Sequence, residues 1–378
     1  MFNVIILGIV SFLTDISTEM VYPLVPLYLV TKLGVSPALV GIIEGVAEST
    51  ASLLRVFSGY ISDLTGRRKP LAILGYGSST IGKIFLYLSH SSWGMVFAGR
   101  WIDRFGKGIR TAPRDALIAD STESTKRGRA FGLHRTMDTL GAAVGVILAY
   151  YFFTRFSGDY SRVFLYSLIP AFFGVGVLFF AKESKKAKIS NSSKPVLKWS
   201  LLDRRLKGFL IVILIFTLGN SSNQFLLLRA KNLGFNDATV LLLYLAYNLV
   251  YMVFAYPAGR LSDRIGRKRL IVIGYIFYGL VYLGFAIVSK SSYLWLLFGL
   301  YGIYIGLTEG IQKALISDIA PVETRATLIG LHATLEGIGL LPASSIAGLL
   351  WNTMGASAPF YFGGFMGIIA ALGMMIVL

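Results

Sequence analysis

A chain of 378 residues that is 55% hydrophobic and only 15% charged, with mean hydropathy +0.67, is no ordinary soluble enzyme, since soluble domains carry roughly 25% charged residues. The net charge of +17 would suggest nucleic acid in a soluble protein, but no groove-reading motif accompanies it, and no nucleic-acid partner is expected. The absence of cysteine excludes disulfides, thiolate metal sites and cysteine nucleophiles, and three histidines without ligand spacing argue against a bound metal.

Apolar runs of about 20 residues, enough to cross a bilayer, recur almost end to end. Twelve spans are predicted, at 4–30, 38–62, 70–90, 93–118, 129–153, 161–181, 207–230, 237–259, 268–288, 292–317, 325–350 and 357–378. The first lacks a basic leader and carries Asp15 and Glu19, so it is expected to be retained rather than cleaved. Loops after the even-numbered spans and the central segment 182–207 hold most of the Lys and Arg. By the positive-inside rule both termini and the central loop face the cytoplasm of a multi-pass protein of the cell membrane. The same charge would attract anionic lipid heads.

In chain order, Ser11, Asp15, Thr18, Glu19, Tyr22 and Pro26 share one face of the first span, and Glu44, Glu48 and Arg55 one face of the second. The loop Gly59-Tyr-Ile-Ser-Asp63-Leu-Thr-Gly66-Arg67-Arg68-Lys69 follows. Its glycines permit a tight turn, and Asp63 can accept hydrogen bonds at a helix N-terminus. In the fourth span Arg100, Asp103, Arg104, Lys107, Arg110 and Arg114 fall on one arc at helical spacing. Arg100, Asp103 and Arg104 are too deep to reach either surface, whereas Arg110, Arg114 and Asp115 are assigned to the cytoplasmic rim by snorkelling or to the loop. The fifth span places His134 and Asp138 on a face with Gly141 and Gly145, whose spacing allows close helix approach.

Residues 182–206 form a basic linker between bundles at 1–181 and 207–378. Its segment Val196–Leu206 either lies in the membrane interface as an amphipathic helix or runs through water as a solvated linker. The seventh span offers Asn220, Asn223 and Gln224, with Phe225, like Tyr22, placed to line a pocket. The tenth offers Glu309, Gln312 and Lys313, and the eleventh His332 and Glu336. Ionisable groups inside membrane spans cost a few kcal/mol each and by default mark a pathway. Static ion pairing is the better reading for Glu44, Arg55, Lys83 and the Glu309–Lys313 pair.

The halves are repeats. Gly59, Asp63, Gly66 and Arg67 answer Gly259, Asp263, Gly266 and Arg267 at an offset of 200, while Asp120, His134, Asp138 and Gly141 answer Asp318, His332, Glu336 and Gly339 at 198. The twice-written G-x-x-x-D-x-x-G-R-[RK] loop between paired apolar spans resembles that of major facilitator superfamily transporters. The resemblance covers essentially the whole chain. It implies an all-α membrane protein of twelve transmembrane helices in two parallel six-helix repeats. It also implies a latch in which Asp63 and Asp263, supported by Arg67 and Arg267, hold the halves together on the cytoplasmic side when the carrier faces outward. Arg104-x-x-Lys107-Gly108 looks like the helix-4 signature of proton-coupled members, whose Arg takes part in coupling. Gly132-x8-Gly141-x3-Gly145 resembles the start of the helix-5 antiporter signature, but Val146, Ala149 and Tyr150 depart from its continuation.

Two transport readings follow, and both signs of charge keep them open. One is a proton-coupled antiporter exporting a cationic or amphiphilic compound, in which Asp15 or Glu19 facing Arg104 changes protonation when substrate displaces the guanidinium. The other is an importer of an organic anion held by Arg100, Arg104 and Lys107. Sodium can replace the proton at such carboxylates. No enzyme motif or nucleotide-binding loop is present. The expected partners are a small-molecule substrate, protons and membrane lipids, with no cofactor and a monomeric chain.

Overall fold

The computed structural model describes residues 2–123, 127–183, 204–319 and 325–377, and among them every regular element is a helix. α1 (Phe2–Val21) and α2 (Leu24–Thr31) share the first predicted span. They are followed by α3 (Pro37–Thr65), α4 (Arg68–Tyr87), α5 (Trp93–Asp120), α6 (Arg127–Arg155) and α7 (Tyr160–Leu178). α8 (Arg204–Gly219) and α9 (Gln224–Asn232) share the seventh span, and α10 (Asp237–Ile265), α11 (Arg267–Ile287), α12 (Tyr293–Ile319), α13 (Arg325–Met354) and α14 (Ala358–Val377) complete the chain.

Two spans expected to be continuous are broken at matching places. Pro23 has no N–H to donate, and the first helix stops at Val21. In the seventh span the break falls on Asn220-Ser-Ser-Asn223, whose side chains compete with helical hydrogen bonding. Ser222 N donates to Ser344 Oγ at 3.2 Å. The carbonyl of Gly219 is satisfied by Tyr278 Oη at 2.9 Å.

Ten of the twelve predicted spans are helices long and apolar enough to cross a membrane. The other two, α4 and α5, carry Lys83 and the charged arc, and they survive in such a bundle by burying those groups against each other. Glycines let them close: a Cβ on Gly106 would strike the Gly75 carbonyl and Ser79, and one on Gly82 the Gly99 carbonyl and Asp103. Gly141 and Gly145 do for α6 against α1 what the spacing predicts, meeting the carbonyls of Phe12 and Ile16.

The described chain forms two compact units. The first comprises 2–35, 46–123 and 127–183, where α1 packs on α6 and α7, and α4 on α5 and α7. The second comprises 36–45, 204–319 and 325–377, where α8 packs on α13 and α14, and α11 on α12 and α14. Most of the predicted interfacial helix at 196–206 lies outside the described residues, and Arg204, Arg205 and Leu206 open α8.

The repeated loop differs from expectation in its first copy. Gly66 and Gly266 take the left-handed φ values of +63° and +93° that favour glycine. Asp63 lies in the last turn of α3 rather than at a helix start. The free N–H groups of Arg68 and Lys69 that open α4 donate instead to Glu183, at 3.2 and 3.0 Å. Arg67 is exposed. Its buried neighbour Arg68 makes the ion pairs, at 3.7 Å to Asp63 and 2.8 Å to Asp120. In the second copy Arg267 does the same to Asp263 at 3.7 Å and Asp318 at 2.7 Å. α4 begins three residues after Thr65, whereas α11 begins two after Ile265. One extra residue therefore moves the working arginine from the expected Arg67 to Arg68, and it takes up half of the change in repeat offset from 200 to 198.

Two stability tests follow. Gly106→Leu should cost about 1–3 kcal/mol by overpacking α4 against α5. Gly77→Ala, where no atom lies within 4 Å of the new Cβ, should leave the melting temperature in detergent unchanged or slightly raised. Arg68→Ala should cost about 1.5–3 kcal/mol by leaving Asp120 without its charged donor, while Arg67→Ala should stay within about 0.5 kcal/mol. Equal losses for the two arginines would refute the shifted assignment.

Candidate functional site

α5 carries its charges on a face turned into the first unit. Arg100, Asp103, Arg104 and Arg110 are all at most 5% exposed, and Lys107 and Arg114 are half-buried. Burying so much charge requires internal partners, and Asp103 is the central one. Arg104 Nη2 lies 2.9 Å from Asp103 Oδ2, Arg100 Nη1 3.5 Å from the same oxygen, and Lys83 Nζ of α4 3.9 Å from Oδ1. Arg104 also donates to Glu48 Oε1 of α3 at 3.0 Å. Lys83 donates to Thr18 Oγ1 of α1 at 3.2 Å, and the Arg100 guanidinium lies 5.2 Å from the Tyr22 ring centroid, where a cation–π contact is favourable. Lys107 adds positive charge beside Arg104 and Glu48.

Nearer the basic-loop end lies a second group. The Asp15 carboxyl of α1 neighbours that of Asp138 on α6, with Glu19 and Arg110 among the charges around Asp15. Arg110, expected at the rim, is instead drawn inward, donating to Ser79 and stacking 4.6 Å from the Tyr76 centroid. Arg114 Nη2 pairs with Asp115 at 2.9 Å, and its Nη1 reaches Ser11 Oγ at 3.4 Å. Ser11 Oγ is also 2.8 Å from His134 Nε2 and 3.4 Å from Tyr76 Oη. Arg104 thus sits with Asp103 and Glu48, and the carboxyl that Asp15 meets is Asp138, a pairing that the sequence did not suggest. Tyr76, Ser79 and Lys83 of α4 were missed as a set, although their spacing of three and four marks one polar face of an apolar helix.

The second unit has a different character. At the break between α8 and α9, Asn223 Nδ2 donates to Tyr247 Oη at 3.3 Å and Tyr301 Oη donates to Asn223 Oδ1 at 2.6 Å. The buried Asn220 Oδ1 makes no hydrogen bond among the described residues. Gln224 Nε2 donates to Glu44 Oε2 at 2.8 Å, so Glu44 has a neutral hydrogen-bond partner there. Phe225 is buried against Trp351, with centroids 6.1 Å apart. Tyr278, Tyr282, Tyr301 and Tyr304 pack with Phe216 at centroid distances of 4.2–6.2 Å. His332 bonds Gln312 at 3.1 Å and faces Glu336, while Glu309 is exposed on α12. Read through the repeat, Arg100, Asp103 and Lys83 answer Phe298, Tyr301 and Tyr282, so rings occupy in one unit the positions that ions hold in the other.

The comparisons agree with this architecture. Residues 7–229 and 209–378 match the model of the Major Facilitator Superfamily. The chain is 39% identical over 381 residues to an uncharacterised MFS-type transporter of Methanocaldococcus jannaschii, covering 99% of this chain and 94% of that one. It is 23% identical over 330 residues to the multidrug resistance protein MdtH of Salmonella newport, covering 84% and 79%. Among solved structures it resembles a D-xylose–proton symporter with TM-score 0.77 at 19% identity, covering 99% and 97%. It resembles the nucleoside transporter NupG with TM-score 0.81 at 14% identity, covering both chains fully; these two likenesses speak to the fold alone. Polar groups buried inside apolar helices, the paired loops and the family match together make this chain a member of the major facilitator superfamily, a multi-pass membrane transporter and not an enzyme.

Proposed function

We propose that the protein is a proton-coupled secondary transporter that exports a cationic or amphiphilic small molecule in exchange for protons by alternating access. The observation that supports this reading is the juxtaposition of the Asp15 and Asp138 carboxyl groups inside the first unit. Two neighbouring carboxyls repel when both are ionised, which favours a proton on one of them. In an interior shielded from water, that proton and a substrate cation compete for the same carboxyls, and competition of this kind is what exchange requires. Glu19, one helical turn from Asp15, adds a third acid on the same face.

The arginines favour the same direction. Arg104 is engaged by Asp103 and Glu48, and Arg100 by Asp103, so an anionic substrate would have to displace carboxylates already in place. The rings of the second unit suit an amphiphile, and the distant relative's name as a multidrug resistance protein is in keeping with it. The import of an organic anion stands as the second reading because three buried cations, Lys83, Arg100 and Arg104, surround the two carboxylates Asp103 and Glu48. The basic loops support an orientation with both termini in the cytoplasm of a cell-membrane protein. A single chain is the working unit in this reading.

In liposomes bearing a pH gradient, Asp15→Asn and Asp138→Asn should each abolish gradient-driven accumulation of ethidium, with melting temperatures in detergent close to wild type. Retained accumulation in both variants would sink the assignment. A melting-temperature screen separates the two substrate classes, since a ligand at about 100 times its Kd stabilises by about 2.7 kcal/mol. Tetraphenylphosphonium should stabilise more at alkaline than at acid pH, because fewer protons then compete for Asp15 and Asp138. Stabilisation by small organic anions instead, lost in Arg104→Ala, would establish the import reading.

A further inference from the structure

The repeat that pairs His134 with His332 and Asp138 with Glu336 places a histidine and a carboxyl one helical turn apart in each unit. The two settings differ in the hydrogen-bond partner of the imidazole. His134 bonds a serine hydroxyl, which can donate or accept. His332 is 1% exposed and bonds the Gln312 side-chain carbonyl, Nε2 to Oε1, at 3.1 Å. At its other end the Gln312 amide donates from Nε2 to Tyr275 Oη at 3.1 Å. In this arrangement the Gln312 carbonyl, which only accepts, takes a hydrogen from His332 Nε2, and in the neutral ring Nδ1 is then a bare lone pair. That Nδ1 makes no hydrogen bond among the described residues and faces Glu336 Oε2 at 3.4 Å. A lone pair opposite a carboxylate oxygen is repulsive unless a proton lies between them.

We propose that the His332–Glu336 pair is a proton-binding site of the second unit, so that the carrier moves two protons per cycle, one on Asp15–Asp138 and one here. The two-proton cycle rests on the proton-coupled reading above, whereas the site itself does not. The Glu336 side chain is 42% exposed and that of His332 1%, so a proton from water reaches the carboxyl first and is then shared with the buried Nδ1. Charged and titratable groups of the neighbouring helices face the pair. α12 contributes Lys313, Glu309 and the buried Tyr304, and α11 contributes Tyr275. α8 stacks the apolar ring of Phe209 on the imidazole at 6.2 Å, with its basic residues Arg204, Arg205 and Lys207 at its start. α14 has no Asp, Glu, Lys, Arg or His.

With only three histidines in the chain, protein labelled with 15N-histidine and reconstituted in liposomes reports each ring by solid-state NMR, His332→Gln identifying the relevant signals. The expected result at neutral pH is a protonated Nε2 and an Nδ1 resonance shifted by a shared proton, which Glu336→Gln converts to the resonance of a neutral ring. A ring with Nδ1 protonated and Nε2 bare, or an Nδ1 resonance that Glu336→Gln leaves in place, overturns the site. In ethidium-accumulating liposomes, losing one of two coupled protons should lower the accumulation ratio of Glu336→Gln by about tenfold for each unit of imposed pH gradient. An unchanged ratio overturns the two-proton cycle. Failure of wild-type accumulation would instead count against the proton-coupled reading, with the NMR outcome still deciding the site.

Discussion

The buried charge that α4 and α5 bring into the first unit converges on Asp103. An isolated carboxylate inside a bundle costs several kcal/mol in desolvation, and so does each cation around it. Lys83, Arg100 and Arg104 meet on this one group, and the glycine contacts of α4 with α5 bring their backbones close enough for the meeting. The two helices that are not apolar enough to cross a membrane alone are therefore the two packed most intimately on each other, and the charge that burdens each is compensated by its neighbour.

The repeat shows how one backbone plan holds two kinds of interior. Where the first unit sets Lys83, Arg100 and Asp103, the second sets Tyr282, Phe298 and Tyr301, and the Gly75–Arg110 contact becomes one between Gly274 and Thr308. The exchange is self-consistent. An arginine without its aspartate, or the reverse, would be a buried uncompensated ion, so these ions are replaced together, by two tyrosines and a phenylalanine. Tyr76 and Tyr275, and His134 and His332, are kept, and each retains a hydrogen-bonded neighbour in both units.

Periodicity and hydropathy were enough to read the helices, the repeat and the faces bearing Asp15, Asp103 and His134, because each is a property of one helix at a time. What a helix wheel omits is depth and neighbour. Arg110 lies on the same arc as Arg104, yet only the position of Ser79 and Tyr76 on α4 shows that it points into the unit and not to the rim. The Asp15–Asp138 contact joins residues 123 positions apart, and no spacing rule announces it. The breaks at Pro23 and Asn220–Asn223 were legible in principle, from a proline and from a run of residues that compete for backbone hydrogen bonds, but continuous hydropathy conceals them.

The loop argues the same point at the scale of a single residue. Sequence alignment of the two motifs pairs Arg67 with Arg267, and identity of letters makes that pairing look secure. Geometry pairs Arg68 with Arg267, since both reach the Asp of the loop and the Asp at the end of the fourth helix of their unit, Asp120 or Asp318. An ion pair is set by where the guanidinium can go, and an extra residue between Thr65 and α4 turns Arg67 outward while bringing the next side chain into the same place. The equivalence that matters between repeats is thus of position in the electrostatic network, and a motif locates that network only to within the length of its turn.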